Sequence, residues 1–302
     1  KKMLIYPNSS ILFNIRGAIL ASRNVLDEAI INYKKSIKIN PNYAQGFSNL
    51  AGALLKLNKI NESLNALKEA IRINPNFAEA YNNLGFILKG RKKYNESIVL
   101  YQKAIQIKPN YEKAYNNLGN VFKIIGKTEE SIKCYQRAVK INPNSILANS
   151  NLANLYIDIC NVEEAQKCFK KLFDLLPNNI EYKINNGLLV TPIVQSIDEI
   201  NLIREEYKKN LNFLSKFNFK NDNPGNSVEA NFFYLAFHNK DNLEIMKNTS
   251  NLFYRIIPNI NYTSKKVKNK KQKKIKIGFI SEFLSNHTIG KLFGGLIKNI
   301  DR

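Results

Sequence analysis

A proline stands at every 34th position over the first part of the chain: Pro7, Pro41, Pro75, Pro109, Pro143 and Pro177. With only 9 prolines in 302 residues, five equal intervals without an insertion do not arise from composition. A fixed period of this length marks stacked copies of one supersecondary unit, each burying its apolar face only against its neighbours. The unit from Ala78 to Tyr111 sets the register. Tyr81, Leu84, Gly85 and Leu88 recur at i, i+3, i+4 and i+7, which is one face of a first helix. Ser97, Tyr101 and Ala104 mark a second helix, and Pro109 stops it, because proline lacks an N–H and drives the preceding residue out of helix.

Small residues hold three slots of this frame. One reads Gly17, Ala51, Gly85, Gly119 and Ala153; a second reads Ala29, Ser63, Ser97, Ser131 and Ala165. The third reads Ser36, Ala70, Ala104, Ala138 and Leu172, loosened in the last unit. Helices that cross closely need such residues where their backbones approach. On these residues the chain, from about 6 to 179, resembles the tetratricopeptide repeat, a helix–turn–helix of this period. Arg16 departs from the pattern in a slot that is Leu in the next four units, which fits a frayed or capping first repeat or one that stacks on repeats before Lys1.

No apolar run approaches the roughly 20 residues of a membrane span. Pro7 and Arg16 interrupt any stretch that could serve as a signal peptide. Cys134, Cys160 and Cys168 all fall inside the repeats and read as small buried or half-buried helix residues, not as a disulfide framework or metal site. A reducing, cytoplasmic setting is the expectation. The net charge of +22 raises the question of nucleic acid. Only eight of the 46 Lys+Arg are Arg, however, and base readers favour the planar guanidinium fork. Lys, Asn and Ile in excess are what an AT-rich coding sequence supplies, so nucleic acid ranks last among partners.

One polar slot keeps the same period: Asn49, Asn83, Asn117 and Asn151, each just before the Leu of a first helix, with Asn120 and Asn154 one turn on in two units. An amide carries both a donor and an acceptor, so a row of them can grip a peptide main chain without reading its side chains. The competing reading, simple solvated positions in an Asn-rich chain, does not account for recurrence at one slot among variable neighbours. Asn82 and Asn116 adjoin it, but Ser48 and Ser150 replace them elsewhere. In a tetratricopeptide stack the first helices line the concave wall, so the resemblance places this ladder along a groove. It carries Asn where a clamp for terminal carboxylates would carry Lys and Arg.

Beyond Pro177 the strict period breaks. Residues 180–214 still read helical, divided at Pro192, with Ser196 and Glu199 forming a capping box. An aromatic run over 231–242 reads as a buried helix, and another helix is expected from Leu243 to Ile257. His238, at the end of the aromatic run, is read as structural. Residues 265–274 form a basic linker. Ile275–Ser281 has the β-branched character of a buried parallel strand, followed by a loop and a helix from about Ile289. Ligands in such folds bind at the carboxyl ends of strands, where Ser281, Asn286 and His287 fall.

The stretch KIKIGFISEFLSNHTIGKLFGGLI, through Gly278, Ser281, Phe283 and His287, is similar to the start of the catalytic region of glycosyltransferase family 41, the protein O-linked N-acetylglucosamine (O-GlcNAc) transferases and their bacterial relatives. The asparagine ladder resembles the acceptor-binding arm of the same family. The resemblance implies a mainly α chain: a tetratricopeptide-repeat α-α superhelix (1–179), a helical linking region (180–264), the basic linker (265–274) and the first βα unit of a GT-B type nucleotide-fold domain (275–302). It implies the N-terminal part of a soluble enzyme that moves N-acetylglucosamine from UDP-N-acetylglucosamine, without a metal, to Ser or Thr of acceptor proteins held in the groove by Asn49, Asn83, Asn117, Asn120, Asn151 and Asn154. His287 then sits in the cleft as a catalytic candidate beside Ser281 and Asn286. A donor-binding half is not recognisable, so this chain alone is expected to bind no cofactor and to be inactive. The alternative is a non-enzymatic scaffold whose repeats bind partner proteins.

Overall fold

The computed structural model describes residues 8–191, 194–217, 235 and 238–256. Thirteen α-helices and no strand occur among the described residues. Ten form five hairpins: α1 (Ser10–Ser22) with α2 (Leu26–Ile39), α3 (Ala44–Lys56) with α4 (Ile60–Ile73), α5 (Ala78–Gly90) with α6 (Tyr94–Ile107), α7 (Glu112–Ile124) with α8 (Thr128–Ile141), and α9 (Ile146–Asp158) with α10 (Val162–Leu175). Three more follow: α11 (Ile180–Leu188), α12 (Ile197–Ser215) and α13 (Leu243–Ile256).

Two kinds of turn repeat with the sequence. Inside each hairpin the chain passes through the left-handed region once, at Asn24, Asn58, Lys92, Gly126 and Cys160, with φ of 61°, 58°, 60°, 76° and 60°. The residue after it donates its N–H five residues back, as Lys59 does to Leu54 at 2.9 Å and Lys127 to Phe122 at 2.8 Å. This is a Schellman closure of the first helix, and Asn and Gly are the residues that adopt it most readily. Cys160 therefore departs from the expected helix position: it is exposed at a turn, while Cys134 is buried and Cys168 half-buried, all three as free thiols. Between hairpins, Asn40, Asn74 and Asn142 lie just before the periodic prolines. Their side chains accept from the backbone N–H of Asn42, Asn76 and Asn144 at 3.0, 3.0 and 3.2 Å, bridging each proline in an Asx turn.

The small slot explains how closely each hairpin packs. A Cβ added to Gly17, Gly85 or Gly119 would stand 2.6, 2.9 or 2.7 Å from a ring carbon of Tyr33, Tyr101 or Tyr135. Where the slot is Ala51 or Ala153, the residue at the tyrosine position is Leu67 or Phe169. Volume is thus exchanged across the same crossing in every hairpin, as interiors of crystal-like density require. The buried serines of the second slot have a separate task. Ser63 and Ser131 donate to the carbonyls of Ala51 and Gly119, each at 2.8 Å.

Packing runs on past residue 179. α11 lies against α10 as the next first helix would, and Gly187 continues the small slot one further period, facing Asn210 and Leu214 of α12. The Asn210 amide donates to the Gly187 carbonyl at 3.0 Å. Ile184, Leu188, Tyr207, Leu211, Leu235 and Leu252 then close a core that joins α11 to α12 and α13. The Ser196 cap forms as expected, accepting from the Glu199 N–H at 3.1 Å, but Glu199 reaches back to the N–H of Gln195, one residue before the cap, at 2.7 Å. Within the described residues no helix is long and apolar enough to cross a membrane. The basic linker, the expected strand Ile275–Ser281 and the βα unit lie outside the described residues, as does half of the aromatic run 231–242.

Candidate functional site

Successive first helices from α1 through α3, α5 and α7 to α9 touch one another, so together they form one continuous wall. The asparagine ladder lies on it: Asn49, Asn83, Asn117 and Asn151 are all half-buried. The structure adds a bonding pattern that the spacing did not reveal. Asn49 donates to the Oδ1 of Asn14 at 3.0 Å, Asn117 to Asn82 at 2.9 Å and Asn151 to Asn116 at 2.9 Å. These three rungs thus reach the preceding repeat's buried neighbour, 35 residues earlier, and Asn83, with Ser48 at that place, does not. Asn14, Asn82 and Asn116 are 7%, 6% and 1% exposed, so the inner row is structural and the outer row meets solvent.

These bonds decide which groups stay available. Asn49 is engaged on both sides, since Gln45 donates to its Oδ1 at 2.9 Å. Asn83 accepts from Asn82 at 3.3 Å, which engages its oxygen, and its NH2 makes no hydrogen bond among the described residues while the side chain lines an open recess. Asn117 and Asn151 each spend one N–H on the wall, and their oxygens accept no hydrogen bond among the described residues. A donor on α5 and acceptors on α7 and α9 is the complement of an extended main chain, which offers a carbonyl and an N–H in alternation. Asn120 is partly committed, because its Oδ1 accepts from the Tyr135 hydroxyl at 2.9 Å. Asn154 is half-buried in the equivalent place, where Phe169 brings no hydroxyl to it.

Between α5, α7 and the start of α9 the wall opens into a recess of about 400 Å³, lined by Asn83 and Asn117 together with Phe86, Lys113, Ile146 and Leu147. Phe86 and Leu147 had no part in the sequence reading. The signal was present: position 86 is Phe where the next two repeats carry Asn120 and Asn154. A different recess of about 530 Å³ opens between α4, α5 and α6, lined by Leu64, Leu88, Val99 and the charges of Lys68 and Arg91, away from the ladder.

The match to known families follows this geometry. The repeat family described as "TPR repeat" matches residues 17–58, 53–91 and 90–124, and that described as "Tetratricopeptide repeat" matches 112–145. Residues 17–145 are tetratricopeptide repeats. No curated protein sequence matches the chain. Among solved structures, pilF of Pseudomonas aeruginosa is 17% identical, with 68% of this chain and 90% of that one covered at a TM-score of 0.55. A thermophilic TPR protein of Thermus thermophilus is 18% identical over 59% of this chain and 97% of that one, TM-score 0.51. MamA is 28% identical over 53% and 93%, TM-score 0.45. The first two share the fold of the tetratricopeptide-repeat region.

Outside the repeats, His238 is 3% exposed and neither ring nitrogen has a hydrogen-bond partner. Burial, and then the nearby Arg204 charge, hold its pKa below the usual histidine range. The Arg204 guanidinium is itself fixed by Asn242 and by the Asp241 carbonyl. His238 is thus a core residue, in keeping with the structural role its place in the sequence suggests. No group of three or more His, Cys, Asp or Glu among the described residues is arranged to hold a metal ion. Ser281, Asn286 and His287 lie outside the described residues.

Proposed function

We propose that the tetratricopeptide repeats bind an extended polypeptide along the wall of first helices, its main chain held by Asn83, Asn117 and Asn151. The observation that carries this reading is the split of unspent amide groups: a donor on α5 and acceptors on α7 and α9, beside one open recess. A helical ligand satisfies its own main chain internally and gains little from such a wall. Two amide contacts at about 0.5–1.5 kcal/mol each amount to about 1–3 kcal/mol. Calorimetric titration with an uncharged Ser/Thr/Ala/Gly peptide should therefore show affinity falling about five- to 150-fold on Asn83→Ala/Asn117→Ala. Unchanged affinity in that variant refutes the reading.

We further propose that the bound segment is the acceptor of a sugar transfer, from UDP-N-acetylglucosamine to Ser or Thr, by a catalytic region that begins with residues 275–302. What supports this is the sequence resemblance of that stretch and the order repeats, linking helices, βα unit. Inverting transfer to a hydroxyl needs the acceptor oxygen positioned and a path for its proton, and His287 is the group assigned there. The test is the product of the complete reading frame, incubated with UDP-N-acetylglucosamine and assayed for UDP release. A His287→Ala variant with full turnover sinks the assignment, and a stop codon soon after Arg302 sinks the enzyme. A pure scaffold predicts instead that peptide binding persists without residues 265–302 and that no UDP is released.

A further inference from the structure

The recess between α5, α7 and α9 holds more apolar surface than a sequence-blind grip on a main chain needs. Phe86 is 45% exposed, Ile146 40% and Leu147 59%, and all three open into the same space as Asn83 and Asn117. A concave apolar surface with a few convergent polar groups is the ordinary composition of a binding pocket. The Lys89 ammonium stands over the Phe86 ring, 4.8 Å from its centroid.

Tyr101 supplies a second sign. Its side chain is fully buried and its hydroxyl has no hydrogen-bond partner. The Ser97 hydroxyl one turn away is close enough to interact with it, but the pair makes no bond of normal geometry. In the next repeat the equivalent Tyr135 hydroxyl donates to Asn120 at 2.9 Å, and the residue equivalent to Asn120 is Phe86. Phe86 thus deprives Tyr101 of its acceptor. A sequence serving stability alone would carry Asn at 86, as at 120 and 154, or Phe at 101, as at 169. Keeping the exposed ring beside a hydroxyl without a well-formed bond works against stability, since an unsatisfied buried donor costs about 1–3 kcal/mol.

We infer that this recess is a specificity pocket for one bulky apolar side chain of the extended polypeptide, seated against Phe86, Ile146 and Leu147 while Asn83 and Asn117 hold the flanking main chain. The inference rests on the groove reading above and sharpens it: the repeats select their segments by an apolar residue. The occupant is extended, not helical, because the polar rim offers a donor and an acceptor to main-chain groups that a helix has already used.

The test is calorimetric titration of the full chain with two synthetic uncharged peptides, rich in Ser, Thr, Ala and Gly and identical except for a central Phe or Ala. The expected result is about tenfold or tighter binding of the Phe peptide. Phe86→Asn should abolish that preference while leaving the Ala peptide's affinity in place, and Val99→Asn in the other recess should leave the preference intact. Phe86→Asn should also melt no lower than the parent, because it gives Tyr101 an acceptor, so a folding defect is separable from a lost pocket. Equal binding of both peptides, or a preference that survives Phe86→Asn, overturns the pocket and leaves the amide grip standing. Failure of the parent chain to bind either peptide overturns both.

Discussion

The contact between Gly119 and Tyr135 offers the sharpest perturbation of the repeat architecture. In Gly119→Ala the new Cβ would stand 2.7 Å from Tyr135 Cε1 and 2.8 Å from Cδ1, closer than carbon atoms approach. The ring has little freedom to yield, since Tyr135 is fully buried and its hydroxyl is bonded to Asn120. Three effects compete. Ala gains about 1 kcal/mol over Gly from helix propensity; overpacking a filled site costs about 1–3 kcal/mol; and moving the ring weakens a hydrogen bond of about 0.5–1.5 kcal/mol. The sum is a loss of about 0.5–3.5 kcal/mol. Gly52, also within a first helix, has nothing within 4 Å of its would-be Cβ, so Gly52→Ala keeps only the propensity gain. Urea melts followed by helical circular dichroism would then move in opposite directions for the two variants. Adding Tyr135→Leu to Gly119→Ala recreates the Ala51 and Leu67 combination of the second repeat. The double variant should be more stable than the sum of its singles by about 1 kcal/mol or more. If Gly119→Ala is as stabilising as Gly52→Ala, the packing argument is wrong.

Other outcomes follow from the same structure. Tyr135→Phe removes a bonded hydroxyl and should cost about 1 kcal/mol, whereas Tyr101→Phe removes an unpartnered one and should be neutral or stabilising in the same melts. Lys92 holds φ of 60° in a turn that Gly126 makes at 76°, so Lys92→Gly should gain, and Gly126→Ala lose, about 1 kcal/mol. His238 titrates below its ordinary value in the fold, so the unfolded chain binds the proton first. Its contribution is complete above the unfolded pKa near 6.5 and is lost as pH falls toward the folded value, by at most about 1.4 kcal/mol per pH unit. Stability measured from about pH 6.5 down to about 5 should fall in the parent and flatten in His238→Phe; equal slopes would refute the buried neutral state.

Much of the repeat fold was legible because its causes are local. Prolines every 34 residues stop the second helices, and small residues mark where helices cross. Pairing Gly17, Gly85 and Gly119 with Tyr33, Tyr101 and Tyr135 needed the crossing geometry. Once that is known, the exchange with Ala51 and Leu67 is visible in the sequence. The left-handed turn could be read from Asn24, Asn58 and Gly126, but Lys92 and Cys160 disguise it, which is why Cys160 was placed in a helix. The outer asparagine row announced itself by recurrence. Its bonds to Asn14, Asn82 and Asn116 did not, because they join residues 35 apart that meet only when successive hairpins stack. Phe86 was passed over for a related reason: a single apolar residue on a helix looks ordinary until the wall it stands on is known to face a recess. Past Pro177 the period fades in sequence while packing continues through Gly187, since one small residue at the crossing suffices to seat α11 against α12.

The side-chain amide resonances of the asparagines report on the groove most directly. With Asn selectively labelled and the central-Phe peptide titrated into the full chain, the NH2 signals of Asn83, Asn117 and Asn151 should shift, while those of Asn61 and Asn65 on α4 stay fixed. Shifts confined to α4, with the three wall amides unmoved, would place the ligand elsewhere and contradict the account.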